Sequence, residues 1–203
     1  MSQPLLQVII ASTRPGRVGP GIAQWFYDVA VKDGGFDVEL VDLADFNLPV
    51  FNEPGAPARA EYEFDYTKRW SSSVARADAF VFVMPEYNHG YNAALKNALD
   101  YLFREWRYKA VGLVSYGGAA MGTRAVQSIK PVLSYLKLVH TSDVMISLAV
   151  TPVVDGAFEG SDHLVHSANL MLKELAKVTP SLQEIRAQEA NERAKGNSAG
   201  SRR

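Results

Sequence analysis

Five short apolar runs are separated by segments of helical period: residues 5–11 (LLQVIIA), 37–43 (DVELVDL), 79–84 (AFVFVM), 110–115 (AVGLVS) and 144–150 (VMISLAV). That alternation confines the chain to an α/β fold built on a mostly parallel sheet. In four of the runs the apolar residues are nearly continuous, which a strand tolerates only when both of its faces are covered. A doubly wound sheet of five strands with helices on both faces is therefore expected.

The helices are read from their apolar stripes. Residues 21–32 place Ile22, Trp25, Phe26 and Val29 on one face, and Trp25 reads as core. Residues 67–77 form a weaker helix. Residues 93–104 turn Leu95, Leu99, Leu102 and Phe103 inward, with Lys96, Asp100 and Arg104 outward. Pro131 should kink or restart the helix at 123–136. A last helix over 161–177 carries Leu164, Ala168, Met171, Leu172 and Leu175. Two stretches fit no element. Residues 47–66 are rich in Pro, Gly, Ala and acidic residues, long for a connection, and read as a lid or an interface arm. The chain thus divides into one domain, 1–188, and a polar tail, 189–203, expected to be disordered.

With 203 residues and no cysteine, the chain cannot use thiolate nucleophiles, dithiol redox pairs, disulfides or thiolate zinc sites. Its four histidines show no metal-binding spacing, so no metal is expected. A net charge of -1 offers no field for nucleic acid or anionic lipid, and the expected partners are small molecules. No run reaches the roughly 20 apolar residues of a membrane span, and residues 1–4 lack signal-peptide character, so the cytoplasm is the default location.

In an open parallel sheet, ligands bind beyond the carboxyl ends of the strands where the strand order reverses. Three loops there have unusual composition. The first, residues 11–21 (ASTRPGRVGPG), passes from a buried strand straight into a helix. The hydroxyls of Ser12 and Thr13, the Arg14 guanidinium and the amides of the helix start could hold one phosphate. Its glycines follow neither the triphosphate motif nor the dinucleotide fingerprint, so a phosphomonoester fits better. The second, residues 85–98 (PEYNHGYNAALKNA), sets aromatics, amides and glycine beside one another, as a heteroaromatic ring would require. The third, residues 115–122 (SYGGAAMG), lets backbone approach a ligand closely.

Together, AST-R-PGR, PEYNHGYNAALKNALDYL and SYGG resemble the NADPH-dependent FMN reductase family, the flavodoxin-like quinone, azo-dye and chromate reductases, over residues 5–177. The resemblance implies a flavodoxin-like strand order 2-1-3-4-5, bound FMN, and NADPH or NADH as co-substrate. It implies phosphate contacts from Ser12, Arg14 and the amides of Val18 and Gly19, with Thr13 beside them. Ring contacts are implied for Pro85, Glu86, Tyr87, Asn88, Ser115, Tyr116 and Gly117. Two positions depart from the family pattern: Ala11 where Gly is frequent, and Asn92 where Pro is frequent.

On this reading FMN carries the redox chemistry and no catalytic side chain is required. Hydride would pass from nicotinamide to FMN and then to a quinone, azo compound, flavin or metal oxyanion, with ping-pong kinetics. The alternative is a flavodoxin-type single-electron carrier or flavin-binding sensor, which the balance of 21 basic and 22 acidic residues disfavours. A hydrolase match, GNSAG at 196–200, lies in the polar tail without a preceding strand and is accidental. Arg17, Arg59 and Arg69 could each meet a 2′-phosphate or serve as surface charges. Finally, Tyr91, Tyr101, Phe103, Trp106 and Tyr108, interleaved with Arg104 and Arg107, exceed what one helix stripe can bury. They point to a homodimer or tetramer, unless the rings pack beneath the 47–66 segment of the same chain.

Overall fold

A computed structural model describes residues 3–200; Met1, Ser2 and residues 201–203, the end of the expected tail, lie outside the described residues. In chain order the elements are β1 (Leu5–Ile10), α1 (Gly19–Asp33), β2 (Asp37–Asp42), α2 (Leu43–Phe46), α3 (Asp65–Arg76), β3 (Ala79–Tyr87), β4 (Gly90–Tyr91), α4 (Ala93–Asp100), β5 (Ala110–Gly117), α5 (Thr123–Tyr135), β6 (Val139–Ser147) and α6 (Asp162–Gly200). The sheet runs β2-β1-β3-β5-β6, with the two-residue β4 folded back on β3. All long strands pair in parallel, and leaving out β4 the order is the expected 2-1-3-4-5.

Alternation along the central strands builds two cores. Leu6, Val8 and Ile10 of β1 and Ala79, Val81 and Val83 of β3 pack under α1 and α6. Ile9 with Phe80, Phe82 and Met84 packs under α3, α4 and α5. This two-sided burial is why those runs read as continuous apolar stretches.

Three boundaries differ from the sequence expectation. The fifth long strand begins at Val139 and ends at Ser147 rather than spanning 144–150. It is an edge strand, so its half-exposed start (Val139-His140-Thr141) carries no apolar signature, and a bulge opposite Gly112 shifts its register. Helix α4 stops at Asp100, and a 3-10 turn over Arg104–Trp106 then drives Trp106 into the core. The largest difference is α6, which continues for 39 residues through the segment expected to be disordered. Past residue 177 the helix is mostly polar, with Gln, Glu, Arg and Ala, which favour a helix with only a narrow contact stripe. Leu182 packs on the core, and two side-chain clamps fasten the helix as it leaves the sheet. Arg186 reaches Asp78 at 2.6 Å and the Tyr108 carbonyl at 2.7 Å; Glu189 meets Arg107 at 2.8 Å. The GNSAG stretch is therefore helical, with no strand leading into it. No described helix is long and apolar enough to cross a membrane.

The 47–66 segment is fastened to its own chain. Asn97 donates to the Pro49 carbonyl at 2.7 Å and accepts from the Phe51 amide at 2.8 Å, Arg104 donates to the Ala58 carbonyl at 2.7 Å, and Tyr62 donates to Glu105 at 2.8 Å. Beneath it and the adjacent helices, Tyr101 and Trp106 are fully buried, Trp106 edge-on against Trp70, Phe80 and Phe82. The aromatic surplus that suggested a dimer is thus largely absorbed within one chain.

Candidate active site

Strand order reverses at β1, which has β2 on one side and β3 on the other, so a crevice opens beyond the carboxyl ends of β1 and β3. The first loop enters it between Ala11 and Val18. Ser12 is buried at its base, whereas Thr13 and Arg14 stand exposed at its lip. Helix α1 begins at Gly19 without a side-chain cap and without an acidic residue in its first turn. Its free N–H groups and the positive end of its dipole therefore face the loop unneutralised.

Beyond β3, the hairpin Glu86–Tyr91 turns on two residues of positive φ, Asn88 (48°) and His89 (68°), which makes it a primed turn suited to the strand twist. Pro85 is buried, while Tyr87 and Asn88 are exposed. The Tyr87 phenol joins the two loops: it lies 3.0 Å from the Ser12 hydroxyl and accepts from Arg14 Nε at 2.9 Å. A second link was invisible in sequence. Asn92, one of the two departures from the family pattern, is buried and donates to the Ala11 carbonyl at 2.7 Å.

Several side chains implied as ring contacts serve other ends. Glu86 turns away to receive the Arg124 guanidinium and amide at the start of α5; burial opposes its charge, but these donors hold its carboxyl below the usual range. Ser115 is buried and donates to the Met121 carbonyl at 2.9 Å, closing the glycine turn. Gly122 is required there, since it has a φ of 81° and a Cβ would lie 2.6 Å from that of Ser115. Tyr116 leaves the glycine turn on the opposite face of the sheet and ends beside Gly19. Arg17 forms a bidentate pair with Asp42 at 2.5 and 3.0 Å and donates to the Ser12 carbonyl at 2.7 Å, bracing the first loop. Asp42, Asn92 and Arg124 could not be found beforehand, because each acts across a distant part of the chain.

The chain from residue 4 to 152 matches the model for NADPH-dependent FMN reductases. It belongs to that family. Its relatives include an NAD(P)H-dependent FMN reductase of Schizosaccharomyces pombe, 43% identical over 169 residues, covering 79% of this chain and 84% of that one. An NAD(P)H-dependent FMN reductase of Saccharomyces cerevisiae is 35% identical over 154 residues, covering 70% and 80%. Among solved structures, the NAD(P)H:(acceptor) oxidoreductase FerB of Paracoccus denitrificans superposes with a TM-score of 0.69 at 19% identity, covering 86% of this chain and 98% of that one. That likeness supports the flavodoxin-like fold. This member of the FMN reductases is accordingly an oxidoreductase with FMN as cofactor and NAD(P)H as co-substrate.

The residues present fit a flavin monophosphate. The uncapped start of α1 offers amides to one dianionic group, and Arg14 stands exposed on the loop that leads into it. The Tyr116 hydroxyl is buried beside this point without a hydrogen-bond partner.

Proposed function

We propose that this FMN reductase transfers hydride from NAD(P)H to small acceptors (quinones, azo compounds, free flavins or metal oxyanions) in two half-reactions at one open face, with ping-pong kinetics. The observation that carries this reading is the convergence of three loops on the β1/β3 crevice, the first two cross-linked by the Ser12, Arg14, Tyr87 and Asn92 hydrogen bonds. FMN, when bound, supplies the hydride chemistry, so the chain itself has only to bind, orient and expose. Ser12, Thr13 and Arg14 with the amides of Val18 and Gly19 hold the phosphate end. Pro85, Tyr87, Asn88 and the backbone of Glu86 lie along the ribityl chain and one side of the ring. The turn from Ser115 to Gly117 closes the other side. Relatives named as an azoreductase and a benzoquinone reductase support the azo and quinone acceptors.

The reading includes a homodimer acting in the cytoplasm, where reduced nicotinamide is available. Its support is a groove of about 570 Å³ between α4 and α5, lined by Leu99, Leu102, Phe103, Val132, Tyr135 and Leu136. Tyr135 stands 75% exposed at this groove, where a second copy could cover it.

The deciding experiment is reconstitution followed by initial-rate kinetics. One FMN per chain and parallel double-reciprocal lines for NAD(P)H against a quinone are expected. Failure to bind added FMN would overturn the reading. Bound FMN that NAD(P)H cannot reduce would favour an electron carrier instead.

A further inference from the structure

Tyr116 is 4% exposed, and its hydroxyl has no hydrogen-bond partner. Buried polar atoms are normally paired, so an orphaned hydroxyl in a well-packed region points to a partner that arrives from outside the chain. Its surroundings show what kind of partner. The ring lies in the core shared by β1, β3 and α1, and its oxygen emerges under the first residue of α1. A Cβ on Gly19 would sit 2.8 Å from that oxygen, so glycine is needed for the phenol to reach the helix start. Arg14, Arg17 and the Ser12 hydroxyl are its near neighbours, and Ser12 is already engaged with Tyr87.

A phenol, three hydroxyl or guanidinium groups and an uncapped helix N-terminus thus converge from two faces of the sheet. The guanidiniums and the helix amides only donate, and the hydroxyls can donate as well as accept. Burial, and then the adjacent Tyr87 phenol, push the Tyr116 hydroxyl well above its ordinary value, so it stays a neutral donor. An apolar ligand, or one offering only donors, would leave it unpaired.

We infer that the Tyr116 hydroxyl donates to the phosphate of FMN from beneath the first loop and thereby selects the phosphorylated flavin over riboflavin. The side chain that the sequence pattern associates with the ring acts at the opposite end of the cofactor. This rests on FMN being the bound flavin, and it assigns a phosphate ligand from the third loop, two strands away from the loop that carries the rest. The bond would form only on binding, since within the chain the hydroxyl makes no hydrogen bond of ordinary geometry.

The test is Tyr116→Phe, measured by fluorescence titration with FMN and with riboflavin, alongside thermal denaturation of the apoprotein. FMN affinity should fall tenfold or more while riboflavin affinity stays unchanged, and the 31P resonance of bound FMN should shift. The apoprotein should melt at the same temperature or higher, since the variant removes a buried unpaired group and keeps the ring. Equal losses for both flavins would mean that Tyr116 shapes the ring site, and unchanged FMN affinity would mean that it is only packing; either overturns the inference. If the wild-type protein bound neither flavin, the flavin assignment itself would fall, which is a distinct result.

Discussion

Arg14 and Arg17 are three residues apart in one loop, and sequence alone offers both as phosphate or nucleotide ligands. Their surroundings separate them. Arg17 is committed to Asp42 and the Ser12 carbonyl, whereas Arg14 touches only the exposed Tyr87. Replacing Arg14 by Ala should weaken FMN binding by about 1.5–3 kcal/mol, tenfold or more, with little change in apoprotein stability. Replacing Arg17 by Ala should lower the melting temperature as well, because it leaves Asp42 without its cation and the loop without its brace. Flavin fluorescence titration paired with thermal denaturation distinguishes the two, and equal apoprotein melting of both variants would contradict the assignment. That loop's chemistry was legible in its residue types. Which arginine remains available was not, since Asp42 lies on another strand.

Helix α3 is set between two buried charges, and they give the fold a pH dependence with opposite causes. At its start Glu53 accepts from the amides of Glu63 and Phe64 at 3.0 and 3.2 Å. Burial opposes its charge, but these bonds hold its carboxyl below the ordinary 4.5. The folded state then binds its proton less readily than the unfolded chain, so this stabilisation is present above pH 4.5 and lost as pH falls through the folded value. Urea midpoints should therefore drop on acidification, and Glu53→Gln should lower the midpoint at pH 7 while flattening the acid limb. At the other end Lys109 donates to the carbonyls of Val74 and Ala75 at 2.7 and 3.1 Å. Burial, and then Arg186, depress its ammonium from 10.5 to about 7. Here the unfolded chain holds the proton between those two values, so stability should rise from pH 7 to 9, with a slope of at most about 1.4 kcal/mol per unit. Lys109→Met should abolish that rise; an unchanged slope would show that another group is responsible. The helix itself was predicted within two residues of its ends. Neither buried charge was, because a Glu in a loop and a Lys before a strand look like ordinary surface residues.

Across the whole molecule, two large aromatics have opposite surroundings. Trp106 sits inside the core with Trp70, Phe80 and Phe82, whereas Tyr135 stands out from the α4/α5 groove. Trp106→Ala should cost about 3–5 kcal/mol of monomer stability, seen as a lower urea midpoint, rather than simply releasing an intact monomer. Tyr135→Glu should leave the melting of a dilute monomer unchanged and shift sedimentation from dimer to monomer. A wild-type chain that sediments as a monomer at micromolar concentration would remove the proposed dimer.

Local pattern was enough for the two-sided parallel sheet, its strand count and the loops that carry the site, because burial on two faces, helical period and turn chemistry all leave marks within about ten residues of one another. It also marked out the three loops proposed to hold FMN, each contiguous in the chain. The bracing of the first loop by Asp42, the Asn92 tie to Ala11, the turning of Glu86 toward Arg124 and the reach of Tyr116 to Gly19 were decided only by the tertiary structure. In each case the two partners are brought together by strand pairing or helix packing across 25 to 97 residues. The course of α6 past residue 177 belongs with them, since a polar segment holds its helix there through the Asp78 and Arg107 contacts that only the folded sheet presents.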